Sequence, residues 1–127
     1  MSKVKVLTQL DDVRLSNGHR QLNKDFVIQV DQKTYVIPKG FITDYSSIPQ
    51  AFGWIVSWNK VDIAGVVHDY LYSTKKVTRS EADRVWRIIA QSGQNRANIA
   101  QAWSCWAGLR IGGWYYWNSK SIEIWKN

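Results

Sequence analysis

The apolar period of this chain changes once, near Lys60, and that change limits the folds open to it. Before Lys60 the pattern is that of strands. "KVKVLTQL" at 3–10 alternates, and "DFVIQVDQKTYVIPKGF" at 25–41 holds two β-rich runs about a short polar break. A period of two marks strands with one buried face. After Lys60 the period is helical: Val61, Ile63, Ala64, Val67 and Leu71 form one stripe of "NKVDIAGVVHDYLYST", as an amphipathic helix requires. A second helix is expected from "TRSE", where Thr78 can cap and Glu81 can complete a capping box, with Ala82, Val85, Trp86 and Ile89 as its apolar face. A third is expected from about Arg96 to Gly113, and "SIEIW" near the end reads as a last strand. The predicted architecture is one α+β domain. A small N-terminal antiparallel β meander fills 1–38, a long structured loop 39–59, and three helices, the first two an antiparallel hairpin, 60–115; 116–127 is a C-terminal strand or tail.

A chain of 127 residues suits a single core. Cys105 is the only cysteine, which excludes an intramolecular disulfide and a cysteine zinc cluster. No apolar run approaches the roughly 20 residues that cross a bilayer, and "MSKVKVLTQLDD" has charges where a signal peptide is apolar. Folding in the cytoplasm is therefore the expectation. Lysine and arginine outnumber aspartate and glutamate 17 to 10, a formal +7, which favours anionic partners: phospholipid head groups, cell-wall polymers or nucleic acid. No nucleic-acid motif is recognised, so that partner ranks lower. More than half of the eight tryptophans are expected in the core. Trp103, Trp106, Trp114 and Trp117 recur at helix-like intervals, which core packing or a protein interface explains.

Two polar constellations interrupt these patterns. His68 lies about six residues before the end of the first helix and Asp83 about five after the start of the second. At ~1.5 Å per residue both stand roughly 8 to 9 Å from the hairpin tip at Lys75, Lys76 and Val77, so antiparallel packing brings them level. Tyr72 shares the azimuth of His68 to within about 40°, and Asp69 points further towards solvent, facing a cleft. Gly65, one turn earlier, leaves room for a ligand. A histidine held by a carboxylate is a general base with a fixed tautomer, and a neighbouring free carboxylate can bind a divalent cation. In this reading His68 is the base, Asp83 orients it, and Asp69 holds metal. The bland alternative makes Asp83 the centre of a salt-bridge ladder with Arg79 and Arg87, at spacing i, i+4, i+8, and His68 a satisfied boundary residue.

The second constellation is the loop "GFITDYSSIP". Asp44, Ser46 and Ser47 can act as Asx- and Ser-turn residues of a rigid loop that bonds to its own backbone, with Thr43 in support, or the loop could bring Asp44 and backbone carbonyls to the metal. His19, after the Asn17-Gly18 turn pair, reads as a turn residue rather than a ligand.

The motifs "GFITDYSSIP", "VVHDYLY" and "TRSEADRVW", in this order, resemble a family found mainly in bacteriophages and bacterial genomes, catalogued as domain of unknown function 1353. The resemblance covers roughly 35–115 and implies a phage or prophage origin without an activity, and with it residence in a host cytoplasm during infection, in the phage particle, or in both. More remotely, "HDYLY" followed by "EADRVW" is similar to the helix pair of phospholipases A2, especially the disulfide-free parvoviral type. By that resemblance His68 matches the general base, Asp69 the calcium-binding aspartate, Asp83 the aspartate that orients the histidine, and Tyr72 the tyrosine bonded to it. Calcium is the ion it implies. The glycine-rich calcium loop of the phospholipases is absent, and the spacing between the helices is shorter. Two functions follow as expectations: a metal-assisted hydrolase of phospholipid or another envelope ester, or a non-catalytic component of a phage particle bound to other structural proteins of its tail, baseplate or head-tail region.

Overall fold

A computed structural model describes residues 3–43, 59–92 and 99–119. Strands precede helices, as the change of period requires: β1 (Val4–Val6), β2 (Asp12–Arg14), β3 (Arg20–Leu22), β4 (Phe26–Val30), β5 (Lys33–Ile37) and β6 (Ile42–Thr43), then α1 (Asn59–Thr74), α2 (Arg79–Ala90) and α3 (Ile99–Ser119). The fold is mixed α+β.

The β half is not one meander. It is two antiparallel three-stranded sheets, ordered β1-β4-β5 and β2-β3-β6. The tight β4–β5 hairpin turns at Asp31, whose φ of 55° an aspartate tolerates, and its register pairs Phe26 with Ile37 and Ile28 with Tyr35. All four of these face the core, together with Val30. The chain between β1 and β4 folds back as a second hairpin through Asn17 and Gly18, the latter at φ 88°, which glycine adopts without steric cost. His19 sits in that turn, its N–H donating to Asn17 Oδ1 at 3.0 Å. β6 pairs Thr43 with Arg20 and lies inside the stretch expected to be loop, because two residues are too few for alternation to show.

α1 corrects the amphipathic expectation. Every residue from Ala64 to Tyr72 is buried, since β5, β6, α2 and α3 all pack against it. A helix covered on all sides must place its polar side chains inside the protein, which is why His68 and Asp69 are buried rather than at a solvent boundary. α1 ends at Lys75, in the left-handed region at φ 55°, whose N–H returns to Leu71 O at 2.9 Å. Thr78 then caps α2 by accepting from the Glu81 N–H at 3.1 Å. Only this half of the capping box is seen; the Glu81 carboxylate turns to Arg84 at 2.9 Å.

One continuous core joins the sheets to the helices, from Leu22, Phe26 and Phe41 through Val67 and Leu71 to Trp86, Ile89 and Leu109. The tryptophans are placed otherwise than expected: of the five described, only Trp86 is buried, while Trp103 and Trp114 are exposed and Trp106 and Trp117 half-buried. The inward face of α3 is built from Ala102, Cys105 and Leu109, and this narrow seam has no room for indoles. α3 also runs past Gly113 to Ser119. "SIEIW" and the tryptophans at 54, 58 and 125 lie outside the described residues.

Candidate functional site

The hairpin tip fixes the register of α1 against α2 and brings two sequence-predicted residues onto the carboxylate of a third, Asp83. His68 Nε2 donates to Asp83 Oδ1 at 2.7 Å, and the Tyr72 hydroxyl donates to the same oxygen at 2.5 Å. The two rings lie 4.1 Å apart between centroids, tilted by 38°, as one helical turn dictates. None of the three is accessible to solvent.

The other oxygen of Asp83 is taken from α3. Arg110 Nη1 donates to Oδ2 at 3.0 Å, and the Arg79 guanidinium stands 3.8 Å from it. Arg79 is itself anchored by the Leu109 and Arg110 carbonyls, at 2.9 and 3.1 Å. The salt-bridge ladder is therefore only half present: Arg79 pairs with Asp83, but Arg87 lies over the Trp103 ring at 3.9 Å. Arg110 is a member of the cluster that residue spacing missed. Its signal was its isolation as the only charge in the 21 residues of α3, a helix whose inner face is otherwise apolar.

Electrostatically the cluster favours an ionised Asp83. Burial opposes its charge, but the hydrogen bonds from His68, Tyr72 and Arg110 outweigh it, holding the carboxyl below its ordinary 3.8. Burial and the Asp83 carboxylate together keep the Tyr72 phenol protonated far above its ordinary 10.0. With Asp83 ionised, the Nε2 proton is assigned, and the tautomer of His68 follows.

Asp69 is elsewhere. It is 1% exposed, not turned towards solvent, because β6 covers its side of α1 and the Thr43 hydroxyl donates to its Oδ2 at 2.5 Å. Gly65, one turn before, is also buried. Asp44, Ser46 and Ser47 lie outside the described residues. A carboxylate and a hydroxyl are the oxygen donors a hard cation takes, yet among the described residues no group of three His, Cys, Asp or Glu side chains stands together as ligands. Cys105 offers no alternative nucleophile: burial pushes its thiol up to about 11. Among the described residues no helix is long and apolar enough to cross a membrane.

A family model described as a protein of unknown function (DUF1353) matches residues 20–109, a span that holds Thr43, His68, Asp69, Tyr72 and Asp83 and ends one residue before Arg110. No curated protein and no solved structure matches the chain. The matched span exceeds half of the chain and runs through β3 to β6, α1, α2 and into α3: the chain belongs to the DUF1353 family.

Proposed function

We propose that this chain is a bacteriophage-encoded hydrolase of phospholipid or another cell-envelope ester, with His68 as general base in a phospholipase A2-like arrangement. The observation that carries this reading is the bond of 2.7 Å from His68 Nε2 to a buried Asp83 that Tyr72 also clamps. In this reading His68, held by Asp83, takes a proton from water as the water oxygen attacks the ester carbonyl. Asp83 stabilises the imidazolium so formed, and that imidazolium returns the proton to the leaving alkoxide. Tyr72 and Arg110 hold the rotamer of Asp83 and touch no substrate. Asp69, with the Thr43 hydroxyl and with Asp44, the next residue in the chain, would hold a divalent cation, calcium in the phospholipase analogy. Such a cation supplies Lewis-acid polarisation of the ester carbonyl. The positive charge of the chain suits an anionic envelope surface.

A second reading has its own support. His68, Tyr72 and Asp83 are all buried, and Asp83 faces two guanidinium groups, as a lock between α1, α2 and α3 would require. In that case the chain is a structural or assembly component of a phage particle.

His68→Gln separates the two readings, since the glutamine amide nitrogen stands where Nε2 stands and can still donate to Asp83, while the side chain has no basic nitrogen. Fatty-acid release from phosphatidylglycerol micelles in calcium is expected to fall by about 10²-fold or more, with the unfolding midpoint little changed. Undiminished hydrolysis in the variant would overturn the catalytic reading. No turnover by either protein, with a large loss of stability in the variant, would favour the lock. Calcium calorimetry on Asp69→Asn tests the metal separately: binding is expected for the wild type and not for the variant.

A further inference from the structure

α3 is 21 residues long and carries one charged side chain, and that one is turned inward to Asp83. Every residue exposed along it is uncharged, from Ala100 to Asn118. The outer face presents Trp103 at 43%, Ile111 at 79%, Trp114 at 57% and Tyr115 at 61% exposure, at helical spacing over more than three turns. Scattered exposed apolar residues are ordinary, but an uncharged aromatic stripe on a chain of formal +7 is not.

The surroundings of the stripe identify its partner. Lys75 Nζ lies 5.1 Å from the centre of the Trp117 ring at one end, and Arg87 lies over Trp103 at the other. Cations thus flank the aromatics along the side of α3 that faces the hairpin. Indole and phenol rings settle at the headgroup level of a bilayer, and lysine and arginine meet anionic head groups there while their stems lie on apolar surface. α3 does not qualify to cross a membrane, so it would lie in the interface. A second copy of the chain is a poorer occupant, because it brings the same positive charge to the same flanks. Trp117 meets the Tyr72 ring edge-on at 5.2 Å, and Tyr72 donates to Asp83, so the stripe borders the buried cluster.

We propose that the outer face of α3, centred on Ile111, Trp114 and Tyr115, docks this protein on an anionic lipid bilayer. The choice of lipid as partner rests on the hydrolase reading above, whereas docking is measured without hydrolysis. The test is cosedimentation of the full chain with large vesicles of phosphatidylcholine containing about one third phosphatidylglycerol, or none. Binding is expected to the anionic vesicles and to weaken by about tenfold without phosphatidylglycerol. Ile111→Glu is expected to lower it by at least about tenfold with an unchanged far-ultraviolet dichroism spectrum, and Trp114→Ala to act in the same direction. Absence of wild-type binding overturns the proposal. So does equal binding by Ile111→Glu, which would leave charge alone as the attraction, and so does a dimer that Ile111→Glu dissociates without any vesicle binding. His68→Gln, which keeps the donor to Asp83, is expected to sediment as the wild type does. Sedimentation without ester hydrolysis by the wild type sinks the hydrolase reading alone; hydrolysis of a soluble short-chain ester without sedimentation sinks this one alone.

Discussion

The two halves of the molecule use aspartate in opposite ways. In the β half three carboxylates stay at the surface and close the chain on itself: Asp25 accepts the Lys39 N–H at 2.7 Å, Asp31 the Lys3 N–H at 2.9 Å, and Asp11 the Asn23 side chain at 2.9 Å. All three are exposed. In the helical half Asp69 and Asp83 are almost wholly out of solvent and meet side chains from other elements. An exposed acceptor that loses its partner turns to water. A buried charge has no such recourse, so a fold that keeps one must supply its donors in full. The helical half therefore holds its charge under constraint, and a constrained charge beside a histidine is what either a catalytic base or a structural lock uses.

Removing that charge should have the largest effect. Asp83→Ala leaves the His68 Nε2–H, the Tyr72 hydroxyl and the Arg110 guanidinium facing an apolar gap, and a loss of about 3–5 kcal/mol is expected in urea unfolding. A loss under about 1 kcal/mol would mean that the cluster relaxes freely, and the contrast between the halves would fail.

How much of this was legible beforehand differs residue by residue. The meeting of His68 with Asp83 follows from rise per residue and a short tip, both local quantities, and the Thr78 cap is local too. The complete burial of α1 was not legible. Its stripe of Ile63, Ala64, Val67 and Leu71 reads as one-sided, while Val66 and Tyr70 on the other side are covered by partners whose placement is tertiary. For the same reason Asp69 reads as solvent-facing: the strand that covers it is two residues long. The division of the strands into two sheets was equally hidden, because β1 pairs with β4 across an intervening hairpin, and no short-range pattern records such a choice. The outward tryptophans of α3 follow helical spacing faithfully, but spacing alone does not say which side of a helix is inside.

A smaller effect sharpens the comparison through pH. The native state keeps the Tyr72 proton at pH values where the unfolded chain loses it, since its pKa is raised above 10.0 by burial and by Asp83. Its contribution to stability is thus full below pH 10 and is lost as pH rises towards the native value. Tyr72→Phe removes a hydrogen bond to an ionised acceptor, so a cost of about 1.5–3 kcal/mol is expected near neutrality. The gap between wild type and variant should then narrow above pH 10. A gap independent of pH up to the alkaline limit would show that the phenol gains nothing from Asp83. Asp83 has the opposite sign: its depressed pKa contributes stability above 3.8 that is lost as pH falls below that value.

The smallest effect is expected in the β half. Asp25→Ala removes the acceptor for the Lys39 N–H, just before Gly40 reverses the chain at φ 90° towards Phe41 and β6. The freed N–H is at an exposed residue and turns to water, so about 0.5–1.5 kcal/mol is at stake, well below the figure for Asp83. Urea unfolding of Asp25→Ala beside Asp83→Ala makes the comparison directly. A loss of 3 kcal/mol or more at Asp25 would show that the link ahead of β6 depends on a surface carboxylate as strongly as the helices depend on a buried one. Because β6 carries Thr43 to Asp69, that outcome would also make the cover over Asp69 the least secure wall of the site.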